Sequence, residues 1–215
     1  MKKTVIVVGA GRGLGNHIAE EFAKHDFRVA LIARRKQALE EYQQEFRAKG
    51  IETFICPADA ADKKSLESAL HEVKGQFGTA DALVYNVGIT TLDADITVDA
   101  DLLVERYKVD VAGAYHCIQL IATDEFAEKN GAIRLTGGKL ATEPHFAYRP
   151  RSMDRAALRA MAYAMYPELK KKGIFIGMVS VMGGIVPGTH FTPERIAEKY
   201  WELYESRMEC EVAYQ

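Results

Sequence analysis

Thr4-Val5-Ile6-Val7-Val8-Gly9-Ala10-Gly11-Arg12-Gly13-Leu14-Gly15 is the stretch that decides the fold. Thr4–Val8 is a near-continuous apolar run, as expected of a parallel strand covered on both faces. Beyond the turn, Leu14, Ile18 and Phe22 recur on one face of a helix expected over Leu14–Lys24. Between strand and helix lie Gly9, Gly11, Gly13 and Gly15. A pyrophosphate needs backbone N–H groups at close range at a helix N-terminus, and side chains would hold it away. A lone glycine-rich turn is weak evidence. One that follows a buried strand and opens an amphipathic helix has the context of a dinucleotide site.

Outward from this unit, strand-like and helix-like segments alternate. Further strands are expected at Arg28–Ile32, Thr53–Cys56, Ala82–Tyr85, Ala132–Thr136, Ile174–Val179 and Glu211–Tyr214. Helices are expected over Lys36–Lys49, with Leu39, Tyr42 and Phe46 inward, and after Asp62, with Leu66, Leu70, Val73 and Phe77 inward. Asp99–Glu128 reads as two helices bent near Gly113, and Ser152–Lys171 as one helix starting at Met153 or Asp154. Thr192 caps the last helix, Pro193–Ser206, with proline at its first position. This alternation predicts an α/β fold: a doubly wound parallel sheet in three α/β/α layers, the Rossmann architecture, as a single domain over residues 1–215. Ligands in such sheets sit beyond the carboxyl ends of the strands. The loops Gly9–Gly15, Ala33–Arg35, Ala58–Ala60, Asn86–Gly88, Gly137–Arg151 and Ser180–Thr192 are therefore expected to line one site.

Bulk composition narrows the class. The 215 residues are 48% hydrophobic and 27% charged, which suits a globular core, and the net charge of −2 supplies no basic field for nucleic acid. Cys56, Cys117 and Cys210 form no CxxC pair and the six histidines show no HxH or HxxxH spacing, so no metal site is expected. Met1-Lys2-Lys3 followed by apolar residues mimics a signal peptide, but the glycine turn interrupts the run too early. No run approaches the ~18 apolar residues of a membrane helix, so a cytoplasmic protein with no membrane partner is expected.

The second strand decides the cofactor. An NAD-specific domain places a carboxylate at its end to grip the ribose 2′-OH. Ala33-Arg34-Arg35 stands there instead, and Arg12 in the glycine turn offers a third guanidinium. Guanidinium forks suit a 2′-phosphate, and cations at a helix start are disfavoured unless an anion is near. The residues thus favour NADP(H) over NAD(H).

With these residues in place, the chain resembles the short-chain dehydrogenase/reductase family. Gly9-xxx-Gly13-x-Gly15 is similar to that family's glycine motif, with Val8 where Thr is usual. Asp59 in Ala58-Asp59-Ala60 matches the adenine-contacting Asp. Tyr85-Asn86-Val87-Gly88 resembles the Asn-Asn-Ala-Gly segment, and Gly173-Ile174 through Gly183-Gly184-Ile185 resembles the sixth strand and its Pro-Gly loop without the proline. The glycine turn, the arginines and the resemblance together imply a cofactor cleft of Gly9, Gly11, Arg12, Gly13, Leu14, Gly15, Arg34, Arg35, Asp59, Ala60, Asn86, Val87, Gly88, Arg155, Gly184 and Ile185. It also implies a homodimer or homotetramer built on the helices around Asp99–Glu128 and Ser152–Lys171.

The same resemblance assigns catalysis to Ser, Tyr, Lys and a relay Asn, and here the chain departs from it. By spacing, the Ser slot falls on Gly138, the Tyr slot on Arg151, the Lys slot on Arg155 and the Asn slot on Asp110. Arg155-Ala156-Ala157-Leu158-Arg159 resembles the family's Lys-Ala-Ala-x-Arg and fixes the register. A guanidinium does not serve as acid or base in this pH range. An active protein would be an NADP-dependent oxidoreductase on a small carbonyl or alcohol. Tyr148 would be its most economical proton donor, with Asp110, Lys139 and His145 as other candidates and Arg155 kept as a ribose contact. The competing reading is a catalytically inactive NADP(H)-sensing or scaffold protein. In a variant of it, Arg149, Arg151, Arg155 and Arg159 present a pocket to an anionic small molecule. The bland alternatives are loop packing for Tyr148, loop capping for His145, pairing with Arg155 or a lysine for Asp110, and a solvated basic helix start for the arginines.

Overall fold

Seven parallel strands form one sheet in a computed structural model that describes residues 2–90 and 98–215. The strands are β1 (Lys3–Val8), β2 (Phe27–Ala33), β3 (Thr53–Pro57), β4 (Ala82–Tyr85), β5 (Ala132–Gly138), β6 (Phe175–Val181) and β7 (Glu211–Tyr214), in the spatial order 3-2-1-4-5-6-7. The winding reverses at β1, which pairs with β2 on one side and β4 on the other; Val8 lies opposite both Ile32 and Tyr85. A crevice therefore opens between the ends of β1 and β4. This is the doubly wound α/β architecture expected from the alternation.

Alternate strand residues go to opposite faces, and each face has its own helices. Val5, Val7, Val29 and Leu31 pack with α1 (Leu14–Lys24), α2 (Lys36–Ala48) and α8 (Pro193–Ser206). Ile6, Val8, Ala30, Ile32, Leu83 and Leu135 pack with α3 (Lys63–Phe77), α5 (Gly113–Ile121) and α7 (Arg149–Lys171). The inward residues expected on α2 are buried; on α3, Leu66, Val73 and Phe77 are buried and Leu70 is half-buried; on α8, Ile196, Tyr200, Leu203 and Tyr204 are buried. Asp62 caps α3 by accepting from the N–H groups of Lys64 and Ser65, and Thr192 caps α8 by accepting from that of Arg195.

Two local expectations need correction. Asp99–Glu128 is α4 (Ala100–Tyr107), a π-helical turn Lys108–Ala112, α5, and a short α6 (Asp124–Glu128), rather than two helices bent at Gly113. The irregularity precedes Gly113, where a Cβ would strike Ala60 O and the Tyr85 hydroxyl, so the wide turn carries Asp110. Helix α7 begins at Arg149, earlier than Met153 or Asp154, because Pro150 sits in its first turn, where a missing N–H costs nothing. Strand β5 carries a fully buried Arg134 on the α8 side. Its Nη2 donates to Leu203 O near the end of α8 and its Nη1 to Ile133 O, and the guanidinium lies 4.5 Å from the Phe175 ring centroid. Burial pushes its pKa down to about 9.

Candidate functional site

Backbone packing fixes the glycine turn. Gly9 has φ +92°, and a Cβ there would lie 2.7 Å from the Asn86 carbonyl, so β1 and the loop after β4 touch main chain to main chain. At Gly15 a Cβ would collide with Gly9 O, which sets α1 tight against the strand end. Gly11 and Gly13 face open space, with no atom within 4 Å of a Cβ. Two glycines thus close the turn and two leave its outer surface bare, the shape a pyrophosphate needs. Asn86 locks the arrangement: its Nδ2 donates to Gly9 O at 3.1 Å and its Oδ1 accepts from Thr136 Oγ1 at 2.9 Å. Thr136 is itself 2.7 Å from the buried Tyr200 hydroxyl, whose pKa burial raises.

Beyond this turn lies a cavity of about 550 Å³. Its walls come from the ends of β1 (Gly9, Ala10), β2 (Arg34, Arg35), β3 (Asp59, Ala60) and β4 (Asn86, Val87, Gly88). Asp59 is held by an Asx turn, accepting from the Ala61 N–H at 2.9 Å. Arg34 and Arg35 are exposed, and no carboxylate lies among the lining residues of the β2 end. Arg12 differs: its guanidinium pairs with Glu41 at 3.2 Å and Glu45 at 2.7 Å on α2 and lies over the Tyr42 ring. Tyr42, Ala38, Ile89 and Val109 also line the cavity and are not among the site residues expected from the sequence. For Tyr42 the signal existed, because the stripe that buries it on α2 also points it toward the end of β2.

The loops after β5 and β6 enclose a second cavity of about 750 Å³ rather than joining the first. Gly138, Lys139, His145, Tyr148, Arg151, Arg155, Gly184 and Ile185 line it. Arg155 marks the boundary. Its Nη1 donates to Thr136 O at 2.6 Å, and its Nη2 occupies the space a Gly88 Cβ would need, at the rim of the first cavity. Asp110 lines neither cavity. It is buried in the π turn and accepts from the Ile89 N–H at 3.1 Å. Burial raises its pKa, opposed by the charge of Arg155, the Ile89 hydrogen bond and the charges of Arg151 and Arg106.

The four arginines of the α7 start do not converge. Arg149 stacks 4.0 Å over Phe146, and Arg159 bonds Glu211 at 2.7 Å, leaving Arg151 and Arg155 in the cavity wall. Lys139 pairs with Glu143 at 2.8 Å. His145 caps the 3₁₀ turn Phe146–Tyr148, its Nδ1 accepting from the Ala147 N–H, so the ring is committed to the loop. Among the described residues no group of acids, histidines and cysteines could hold a metal, and no helix is long and apolar enough to cross a membrane.

A sheet wound this way, with a glycine cradle at its switch point, defines a dinucleotide-binding α/β protein. Residues 3–199 match the short chain dehydrogenase family model, and the chain belongs to that family. The 3-oxoacyl-[acyl-carrier-protein] reductase FabG of Staphylococcus aureus (strain N315) is 32% identical over 134 residues, covering 62% of this chain and 54% of that protein. The diacetyl reductase [(S)-acetoin forming] of Staphylococcus epidermidis (strain ATCC 12228 / FDA PCI 1200) is 27% identical over 177 residues, 82% of this chain and 69% of that one. The chain spans about half the length of the first of these relatives. Among solved structures, L-sorbose reductase from Gluconobacter frateurii, complexed with NADPH and L-sorbose, superposes with a TM-score of 0.88 at 21% identity over 99% of this chain and 94% of that one. That likeness is one of fold.

Proposed function

We propose that the protein is an NADP(H)-dependent oxidoreductase acting on a small carbonyl or alcohol, with the adenosine half of the cofactor in the 550 Å³ cavity and the reaction in the 750 Å³ one. The observation that carries the cofactor is the pair Arg34 and Arg35 at the end of β2, where a carboxylate would select NAD(H). Gly11 and Gly13 leave the pyrophosphate its cradle, Asp59 and Ala60 flank the adenine, and Arg155 stands where the nicotinamide ribose would pass. When bound, NADPH supplies a hydride. Tyr148, in the wall of the second cavity, holds the proton that a carbonyl oxygen takes up on reduction, while Gly138 leaves room where the family places its serine. Arg155 positions the reacting end through its bond to Thr136 O and its contact with Gly88. Exposed Val104, Tyr107 and Met153 on α4 and α7 support a homodimer or homotetramer, which light scattering measures.

The test is fluorescence titration with NADPH and NADH, followed by NADPH oxidation against aldehydes, ketones and quinones. NADPH binds more tightly, at least one carbonyl turns over, and Tyr148→Phe lowers kcat about 100-fold or more, the usual scale of a lost general acid. A second reading rests on the residues in the family's catalytic slots, Gly138, Arg151 and Arg155: the protein binds NADP(H) as a sensor without chemistry. Tight NADPH binding with no turnover on any carbonyl selects that reading.

A further inference from the structure

A chain of hydrogen bonds runs from α8 through the sheet to the glycine turn, and the direction of each bond is fixed. Gly9 O can only accept, so Asn86 turns its Nδ2 toward it at 3.1 Å and its Oδ1 toward Thr136. That Oδ1 can only accept, so the single hydroxyl proton of Thr136 goes to Asn86, at 2.9 Å. The Tyr200 phenol, 2.7 Å from Thr136 Oγ1, is therefore the donor to it. Tyr200 is fully buried, and burial pushes its pKa up, so the phenol keeps the proton it donates.

The chain starts from a fixed anchor and ends on the turn. Thr136 pairs with Val179 of β6, and its carbonyl accepts from Arg155 Nη1 at 2.6 Å. Asn86 donates its own N–H to Val8 O at 2.8 Å, and its Nδ2 lies 3.1 Å from where a Gly15 Cβ would stand. On the other side of the turn the N–H groups of Gly9 and Ala10 both donate to Ile32 O, at 2.9 and 3.1 Å. The start of the turn is thus gripped from β2 by its N–H groups and from β5, through Asn86, by the Gly9 carbonyl. The bare glycines Gly11 and Gly13 follow directly. Valine and phenylalanine would fill the space of Thr136 and Tyr200 without burying two hydroxyls. A fully bonded polar chain adds little net stability over such a pair, but it selects one geometry where packing admits several.

We infer that Thr136 and Tyr200 are positioning residues for the cofactor turn: the Tyr200 phenol aims the Thr136 hydroxyl at Asn86, and Asn86 holds Gly9 where the pyrophosphate cradle begins. The inference rests on the reading of the first cavity as the NADP(H) site. Neither residue lines that cavity, so both act through Asn86. They act on the part of the site that the two dinucleotides share. The choice between NADPH and NADH is left to Arg34 and Arg35.

The experiment titrates the full chain with NADPH and with NADH by fluorescence, well below the Tm of each variant. Thr136→Val keeps the shape and removes the hydroxyl. It weakens both cofactors by the same factor, about tenfold, the scale of one lost hydrogen bond. Thr136→Ser restores both affinities to within about twofold of the parent, because the donor returns. Tyr200→Phe leaves Thr136 able to donate but no longer aims it, and weakens both cofactors about threefold. The double variant Thr136→Val with Tyr200→Phe is no weaker than Thr136→Val alone, since the two residues act in series. It leaves no unpaired phenol in the core, so it carries the test if Thr136→Val does not fold. A lowered Tm with both affinities within twofold of the parent overturns the inference, because the chain is then structural only. Loss of NADPH affinity with NADH unchanged also overturns it, as does a Thr136→Ser protein as weak as Thr136→Val. A parent that binds neither dinucleotide defeats the cofactor reading and this inference with it; a parent that binds both and variants that bind equally well defeat this inference alone.

Discussion

At the ends of β1 and β4 main chain meets main chain, whereas at the ends of β5 and β6 the cavity walls are side chains. Gly9 and Gly15 are fixed by contacts with Asn86 and Gly9 backbone atoms, and no other residue fits those contacts. Around the second cavity the same fold tolerates Gly138, Arg151 and Arg155, whose positions are set by β5 and α7 but whose chemistry is not. A site defined by backbone restricts its sequence whatever it binds. A site defined by side chains can change its chemistry while the sheet behind it stays the same. The end proposed for the cofactor is of the first kind and the end proposed for the reaction is of the second.

The largest expected effect breaks that comparison directly. Gly9→Ala places a Cβ 2.7 Å from the Asn86 carbonyl at φ +92°. The backbone term alone is about 1–3 kcal/mol, and the clash adds to it. A Tm fall of at least about 6 °C, on the ~2–4 °C per kcal/mol expected at this size, is measurable by thermal denaturation. Gly138→Ser is the control: its φ is extended and its Cβ would lie 3.4 Å from Val181 O. Its Tm stays within about 2 °C. Equal losses in the two variants would mean that both ends are equally constrained.

Next in size is Arg34→Ala. Removing a charged hydrogen bond to the 2′-phosphate, about 1.5–3 kcal/mol, weakens NADPH binding about 10–100-fold and leaves NADH binding unchanged. Equal loss for both cofactors would refute the 2′-phosphate assignment.

The reaction end is braced by ion pairing at the sheet edge, which makes it sensitive to acid. Glu211 on β7 accepts from Ser180 Oγ at 2.6 Å, Arg159 Nε at 2.7 Å and Tyr163 Oη at 3.0 Å, tying α7 to β6. Burial alone would raise its pKa, but these hydrogen bonds and the Arg159 charge outweigh it and bring the value below 4.5. A carboxylate with a lowered folded pKa stabilises above its unfolded pKa and loses that contribution as pH falls through the folded value. Glu211→Gln is therefore less stable by about 1–2 kcal/mol at pH 7, and the gap closes as pH falls below 4.5. Melting curves of both proteins from pH 7 to pH 3 measure it, and a constant gap would contradict it.

Much of this contrast could be read from sequence because strand burial, helix stripes and the glycine turn are local patterns. Arg134 could not: in a buried strand its position calls for an apolar residue, and its acceptor Leu203 O is distant in the chain. The π turn at Lys108–Ala112 escaped because one wide turn hardly disturbs a helical stripe. Pro150 was a readable start signal for α7, masked by the surrounding polar loop. The division of the crevice at Arg155 depends on contact with Gly88, across two loops, which spacing does not encode.

The smallest effect sharpens the cofactor end. Sequence alone groups Arg12 with Arg34 and Arg35, but Glu41 and Glu45 hold Arg12 against α2. An exposed, already paired guanidinium has little left to give a phosphate, so Arg12→Ala changes NADPH affinity by less than about threefold. Substituting both partners, Glu41→Gln with Glu45→Gln, frees Arg12 and removes two negative charges from the edge of the cleft. NADPH then binds about twofold tighter at low salt, the gain disappears at high salt as screening requires, and NADH is unaffected. An Arg12→Ala loss as large as that of Arg34→Ala would show that Arg12 leaves α2 for the phosphate, and the 2′-phosphate site would then include the glycine turn itself.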